Sequence, residues 1–184
     1  MTNIISTLRG MTNAGTADYS IAGASYWSDD QLQNCLDKYR SDYYEREISP
    51  VDEYTGGIPT TTRYYVGSFN IESGTAVFWI QNSQGTKLTE TTDYTVDYSL
   101  GLVTFNADTD GQRYFATYRS YDLNGAAAEV WRMKAGHYAD MYSFSAGGHN
   151  IQKSALIRQA LEMASYYSQS RGARSIELTR DDLC

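Results

Sequence analysis

The chain has 184 residues, 22 acidic against 15 basic side chains, a net charge of −7 and 17 tyrosines. This length fits one ordinary domain, or one domain with a sizeable insertion, and buries a core without disulfides or metals. The acidic balance argues against a basic nucleic-acid-binding face, and Cys35 and Cys184 have neither metal-ligand spacing nor the makings of a disulfide framework.

Residues 1–25 are rich in Thr, Ser, Asn, Ala and Gly and lack a sustained period. They read as a flexible arm, or one ordered only on a partner, in which Ile4, Ile5 and Leu8 can anchor a short helical turn. The N-terminus has no charged segment followed by an apolar one, and no apolar run approaches membrane-spanning length. The chain is therefore expected to be made and folded in a cytosol.

A helix start follows. Ser28 is its N-cap, Asp29 and Asp30 suit the positive end of the helix dipole, and Gln31 completes a capping box. Trp27 and Leu32 occupy the two positions of a hydrophobic staple. Leu32, Cys35, Leu36, Tyr39 and Tyr43 continue one apolar face, which predicts a helix over about 28–46 with Cys35 as a small buried residue. Ile48-Ser49-Pro50 ends it, because the residue before proline avoids the helical region.

From about residue 60 to 119 the period becomes alternating. Thr60–Val66, Ala76–Ile80, Asp93–Tyr98, Leu102–Phe105 and Gln112–Tyr118 read as strands, with turns at Ser99-Leu100-Gly101 and Asp110-Gly111. Five or six short strands predict a small antiparallel sheet, sandwich or barrel.

The stretch from Tyr121 to Tyr167 returns to helical spacing. Asp122 or Asn124 can cap a first helix, and Gly147-Gly148 can end it in the left-handed region. Leu123, Ala127, Val130, Met133, His137, Met141 and Phe144 form one face, while Trp131, Tyr138 and Tyr142 form a second. A surface helix normally has one apolar stripe, so the second face is expected to meet something beyond its own domain. Ile151 to about Gln169 gives a second helix, with Leu156, Ile157, Ala160, Leu161, Met163, Ala164 and Tyr167 on its stripe. The short Ser145–Asn150 connection makes the two an antiparallel hairpin. After Gly172 the tail alternates Ile176 and Leu178 with polar residues.

The expected class is α+β. An N-terminal helix and a C-terminal helical hairpin (26–50 and 120–170) form a helical domain, with a small antiparallel β-domain (51–119) inserted between them. The arm (1–25) and a tail (171–184) flank the whole.

The sequence offers no catalytic constellation. His137 lies in an apolar stripe and reads as a packing histidine, and His149 sits in a polar loop. Neither has a third metal ligand at suitable spacing. There is no phosphate-cradling glycine loop and no nucleophile elbow. Asp108-Thr-Asp110-Gly111 resembles the start of a calcium loop but lacks the later ligands, so a hairpin turn explains it better. Asp29/Asp30 suit helix capping and Asp181/Asp182 a solvated terminus. No enzyme activity, cofactor or metal is expected. The pairs Tyr43-Tyr44, Tyr64-Tyr65 and Tyr166-Tyr167 fit interfaces or sheet surfaces. Without interleaved basic residues base stacking is unsupported, while sugar binding by the β-module stays open.

Ala126-Ala-Ala-Glu-Val-Trp131 with its run to the Gly-Gly loop, and the Leu156–Tyr167 helix, resemble head–tail adaptor (connector) proteins of tailed bacteriophages. The opening Trp27-Ser-Asp-Asp-Gln-Leu32 helix is similar to versions that carry an inserted β-domain. So is the hairpin from Asp93-Tyr-Thr-Val-Asp-Tyr98 to Phe105, leading into Arg119-Ser-Tyr-Asp-Leu-Asn124. The resemblance covers roughly residues 26–170 and rests on element order and a loose pattern. It implies a structural protein of the virion neck, forming a ring, usually of twelve copies, under the portal protein and extending the DNA channel toward a stopper, terminator or tail tube. It also implies a C-terminal portal-docking segment, here Arg171, Arg174, Ile176, Leu178 and Arg180. In such a ring Trp131, Tyr138 and Tyr142 would lie at the subunit interface, a heterologous contact. Acidic subunits would let DNA pass without specific binding. The competing expectations are an accessory carbohydrate- or protein-binding module working through the β-domain, and another neck component such as a stopper or terminator.

Overall fold

The computed structural model describes residues 2–21, 23–55, 58–140, 145–146, 149–150 and 153–171. Its fold is mixed α+β, with helices grouped at one end and antiparallel strands at the other. The helical part begins with α1 (Thr2–Thr12), a small hairpin of β1 (Tyr19–Ile21) and β2 (Ala24–Tyr26), and α2 (Asp29–Asp37). The strands are β3 (Arg40–Glu47), β4 (Ser49–Thr55), β5 (Ile58–Tyr65), β6 (Trp79–Asn82), β7 (Tyr94–Asp97), β8 (Leu102–Phe105) and β9 (Tyr114–Tyr121). The chain then returns to helix in α3 (Leu123–Asp140), a minimal hairpin of β10 (Ser145–Ala146) and β11 (His149–Asn150), and α4 (Lys153–Gln169).

The expected arm is instead part of the core. Ile4 and Leu8 of α1 are buried with Trp27, Leu32, Cys35 and Leu36, and with Leu123, Ala126, Ala127 and Val130 of α3. What holds α1 comes from far along the chain. Lys134, 4% exposed, donates to the carbonyls of Thr12 (2.9 Å) and Asn13 (2.8 Å) and pairs with Asp18 at 2.8 Å. The Tyr167 hydroxyl donates to the Met11 carbonyl at 3.0 Å. The last carbonyls of a helix lack intrahelical partners, and a cation near that end is favourable. The described residues of the expected arm therefore order on their own chain.

Helix α2 starts as expected. Ser28 Oγ accepts from the Gln31 N–H at 3.2 Å, and Gln31 Oε1 accepts from the Ser28 N–H at 2.9 Å. Trp27 and Leu32 are both fully buried. The helix ends at Asp37, however, and the residues expected to continue it to 46 form β3. Tyr43 there alternates inward with Ser41 and stacks on Tyr118 at 4.7 Å. The β-domain accordingly begins near residue 40, not 51.

The strands pair antiparallel in two sheets, β3-β9-β6 and β4-β5-β8-β7. Their facing sides enclose Tyr64, Val66, Phe78, Ile80, Tyr94, Val103, Phe105, Tyr114, Ala116 and Tyr118. Strand alternation puts Tyr114, Ala116 and Tyr118 on one inward row and Val103 and Phe105 on another. The expected strand over Ala76–Ile80 forms later, at Trp79–Asn82. The tyrosine excess is largely a core device, because a phenol fills volume and its hydroxyl reaches a partner. Tyr64 donates to the Gln112 carbonyl at 2.9 Å, and Tyr118 to the Val66 carbonyl at 3.1 Å.

The two connections between the halves are themselves paired. Arg40 opposes Tyr121 in the β3–β9 ladder, and the Asp122 N–H donates to the Tyr39 carbonyl at 3.0 Å. Arg119 binds Asp42 at 2.9 Å and Glu72 at 3.1 Å, and the Tyr121 hydroxyl donates to the same Glu72 oxygen at 2.9 Å. The strands by which the chain enters and leaves the insertion are thus joined to each other by a ladder and an ion network.

Candidate interaction surface

Helix α3 is the spine of the helical part. Asp122 caps it, its Oδ1 accepting from the Gly125 N–H at 2.9 Å. Leu123, Ala126, Ala127 and Val130 face α1 and α2. Trp131 and Ala135 face α4, against Ala160 and Ala164. Small residues at this second seam let the two helices approach closely. The pair is antiparallel, since Asn124 at the start of α3 donates to the Ser170 carbonyl at 2.9 Å and Arg132 reaches Ser168 at 2.6 Å.

This packing corrects the interface expected for Trp131. The residue is 8% exposed, its indole N–H points to the Met11 carbonyl at 3.4 Å, and α4 covers its face. Its own chain provides the second partner that the two-sided stripe required. Tyr138 is half-buried against the same cluster. Tyr142, with Met141 and Phe144, lies outside the described residues. So do Gly147-Gly148, the expected end of α3, whose helix is described to Asp140. Residues 151–152, where the second helix was expected to begin, are also outside.

Of the expected docking set, Arg171 alone is among the described residues. Arg171 pairs with Asp122 at 2.7 Å and lies over the Tyr39 ring at 5.2 Å. It fastens the end of α4 to the start of α3 and stays exposed. Arg174, Ile176, Leu178 and Arg180 lie outside the described residues.

No group of three or more His, Cys, Asp or Glu among the described residues is arranged to hold a metal. His137 stacks face to face on Tyr19 at 3.7 Å, and Tyr19 stacks in turn on Tyr26 at 4.9 Å. A cleft of about 460 Å³ lies beside them, lined by Asp18, Trp131, Lys134, Tyr138 and Gln159. All three protons of the Lys134 ammonium already have acceptors there. The Asp108 carboxylate accepts from the Thr61 and Asp110 N–H groups, which hold its pKa below the usual range, so it closes a turn.

What remains open is apolar surface. On α4 only Ala160 and Ala164 are buried. Leu161 is 51% exposed, and with Ile157 it lines a shallow face between Ser154 and Ser165, flanked by Arg158 and Glu162. On the β-domain Phe69 is 56% and Leu100 54% exposed. They sit on adjoining loops, joined where the Asn70 N–H donates to the Ser99 carbonyl at 3.1 Å, and Phe69 packs on Tyr65. Gly101 allows this join: its φ is 66°, and a Cβ there would lie 1.9 Å from the Ser68 carbonyl oxygen. Sequence reading passed over both patches. Their signals were an α4 stripe broader than one neighbour covers and a leucine at a turn tip.

No helix among the described residues is long and apolar enough to cross a membrane. No protein-family model matches the sequence, and no curated protein matches it.

Proposed function

We propose that this chain is a structural ring component of a tailed-phage neck, a head–tail adaptor seated under a portal ring. The observation that carries the reading is the helical hairpin itself. Its inner helix is packed on both sides by its own chain, while its outer helix leaves Leu161 and Tyr166 exposed. A helix in that position is completed by a neighbour. The order of helix, inserted β-domain and helical hairpin supports the same reading, as does the resemblance of the hairpin sequence to such adaptors. A net charge of −7 suits a channel past which DNA slides without being held. The virion neck is the corresponding location.

The test is to mix the purified chain with the portal ring of the same particle and measure the mass of the product by native mass spectrometry. Twelve copies of a 20.7-kDa chain add about 250 kDa in one discrete species. A chain that stays free at every ratio removes the proposal.

A second reading rests on Tyr44 and Tyr54, 77% and 74% exposed on β3 and β4. It makes the β-domain an accessory carbohydrate- or protein-binding module. Specific retention on a glycan array, lost in Tyr44→Ala and Tyr54→Ala, would favour it over the adaptor.

A further inference from the structure

We infer that residues 172–184, which lie outside the described residues, add a strand to the open side of β3 in their own protomer. The inference stands apart from the ring reading and needs no second copy.

The sheet edge comes first. β9 flanks β3 on one side, and no strand among the described residues flanks it on the other. The Asp122 N–H donates to the Tyr39 carbonyl, so the Tyr39 backbone faces β9, and by antiparallel alternation Ser41 and Tyr43 do as well. Arg40 and Asp42 therefore turn their backbone N–H and C=O groups outward. A register shift after Tyr43, where Glu45 takes a φ of 46°, confines the regular pairing stretch to Arg40–Tyr43.

The other outermost strands are guarded. Alongside β6, Lys87 bridges to Gln81 and the Leu88 N–H donates to the Ile80 carbonyl at 2.9 Å. At the two ends of β7, the Thr91 N–H donates to the Tyr94 carbonyl at 2.7 Å and the Ile71 N–H to the Tyr98 carbonyl at 2.8 Å. β4 carries Pro50, which has no N–H to give, and its register shifts between Val51 and Glu53.

The chain delivers its tail to the open stretch. Arg171 pairs with Asp122 at 2.7 Å, and its guanidinium lies 5.2 Å from the centre of the Tyr39 ring. Tyr39 is the residue before β3. Extended chain from Arg171 to Leu178 spans up to about 23 Å, and Arg40 to Tyr43 is about 10 Å, so reach is ample. A tail that starts beside Tyr39 and follows β3 runs parallel to it, a combination that mixed sheets allow at an edge.

The tail's sequence suits that place. Ile176 and Leu178 alternate with Ser175, Glu177 and Thr179, so a strand sets both apolar residues on one face. Ser41 and Tyr43, the inward residues of β3, are only half-buried, whereas Tyr118, which opposes Tyr43 on β9, is 2% exposed. Ile176 and Leu178 would carry the inward apolar row one strand further, with Glu177 on the outer face where Arg40 lies. In such additions main-chain bonds supply affinity and alternate side chains supply specificity.

The test is residue-by-residue amide exchange by NMR, on the full chain and on a chain ending at Arg171. Arg40 and Asp42 are the reporters, because their N–H groups face away from β9. Ser41 and Tyr43 face β9 and serve as internal controls. In the full chain the reporters are expected to exchange at least about tenfold more slowly than in the shortened one, with the controls unchanged. Ile176→Asp combined with Leu178→Asp, in a chain of full length, is expected to lose the same protection, which keeps the test valid if shortening impairs folding. The protection should not depend on protein concentration.

Fast exchange at Arg40 and Asp42 in the full chain overturns the inference. So does protection that survives both the deletion and the double variant. Protection that fades on dilution would assign the added strand to a neighbouring copy, and the own-protomer contact would fail.

Discussion

Lys134→Met probes the contact that turns the N-terminal segment into part of the fold. The substitution keeps an unbranched apolar stem of similar reach and removes only the ammonium. Three hydrogen bonds are lost, to Thr12, Asn13 and Asp18, all between 2.8 and 2.9 Å. Bonds involving a charged group contribute about 1.5–3 kcal/mol each. The Asp18 side chain is 26% exposed, so water takes up part of its share. The contact of the ammonium with the Trp131 ring at 5.2 Å adds up to about 1 kcal/mol. Against these stands the cost of burying a lysine charge, which methionine avoids. The balance is a loss of about 3 kcal/mol, concentrated on α1. Urea unfolding should show a lower midpoint, and hydrogen exchange should show residues 2–21 losing protection before α3 does. A loss under about 1 kcal/mol, with unchanged protection of α1, would refute the argument that Lys134 pins this segment.

Three further outcomes follow from the geometry. Gly101→Ala places a side chain in the left-handed region and drives its Cβ to 1.9 Å from the Ser68 carbonyl oxygen. It should lower the thermal midpoint by the equivalent of about 3 kcal/mol or more, whereas an unaffected melt would show that this loop junction yields freely. Ala160→Leu forces bulk into the fully buried α3–α4 seam and should destabilise by about 1–3 kcal/mol, measured by denaturant midpoint. The third concerns alkali. Burial pushes the Tyr94 and Tyr121 hydroxyls up to about 12, from an ordinary 10.0. Above pH 10 the unfolded chain releases these protons first, so it binds fewer protons than the fold and stability falls as pH rises. The loss should run from pH 10 to 12, at roughly 2–3 kcal/mol per group by its upper end. Tyrosinate absorbance should therefore rise in step with unfolding, and ionisation of all tyrosines near pH 10 with the fold intact would contradict it.

The sequence spoke most clearly where structure is local. The Ser28–Gln31 box and the Trp27–Leu32 staple are short-range devices, and both are present as read. The β7–β8 hairpin across Ser99-Leu100-Gly101 is another. Ambiguity arose where two periods share residues. Tyr39 and Tyr43 are four apart, as on a helix, yet Ser41 and Tyr43 alternate as in β3, and pairing with β9 decides between them.

The hardest element to read was α1. Ile4, Leu8 and Met11 have helical spacing, but the segment carries Gly10 and several threonines and has no acidic residue in its first turn. Its stability comes from donors on Lys134 and Tyr167, more than a hundred residues away. Missing that helix also misplaced Trp131. A face covered by α1 and α4 read as a face awaiting another subunit. The same error hid the surface that is open, because with α1, α2 and α4 covering α3 the most exposed apolar residues of the hairpin are Leu161 and Tyr166 on the helix outside it.

The most direct measurement is a cryo-electron microscopy reconstruction of the chain mixed with its portal ring. The account predicts a ring of this chain coaxial with the portal. A portal ring bare of this chain, or copies bound at its periphery off the channel axis, would contradict it.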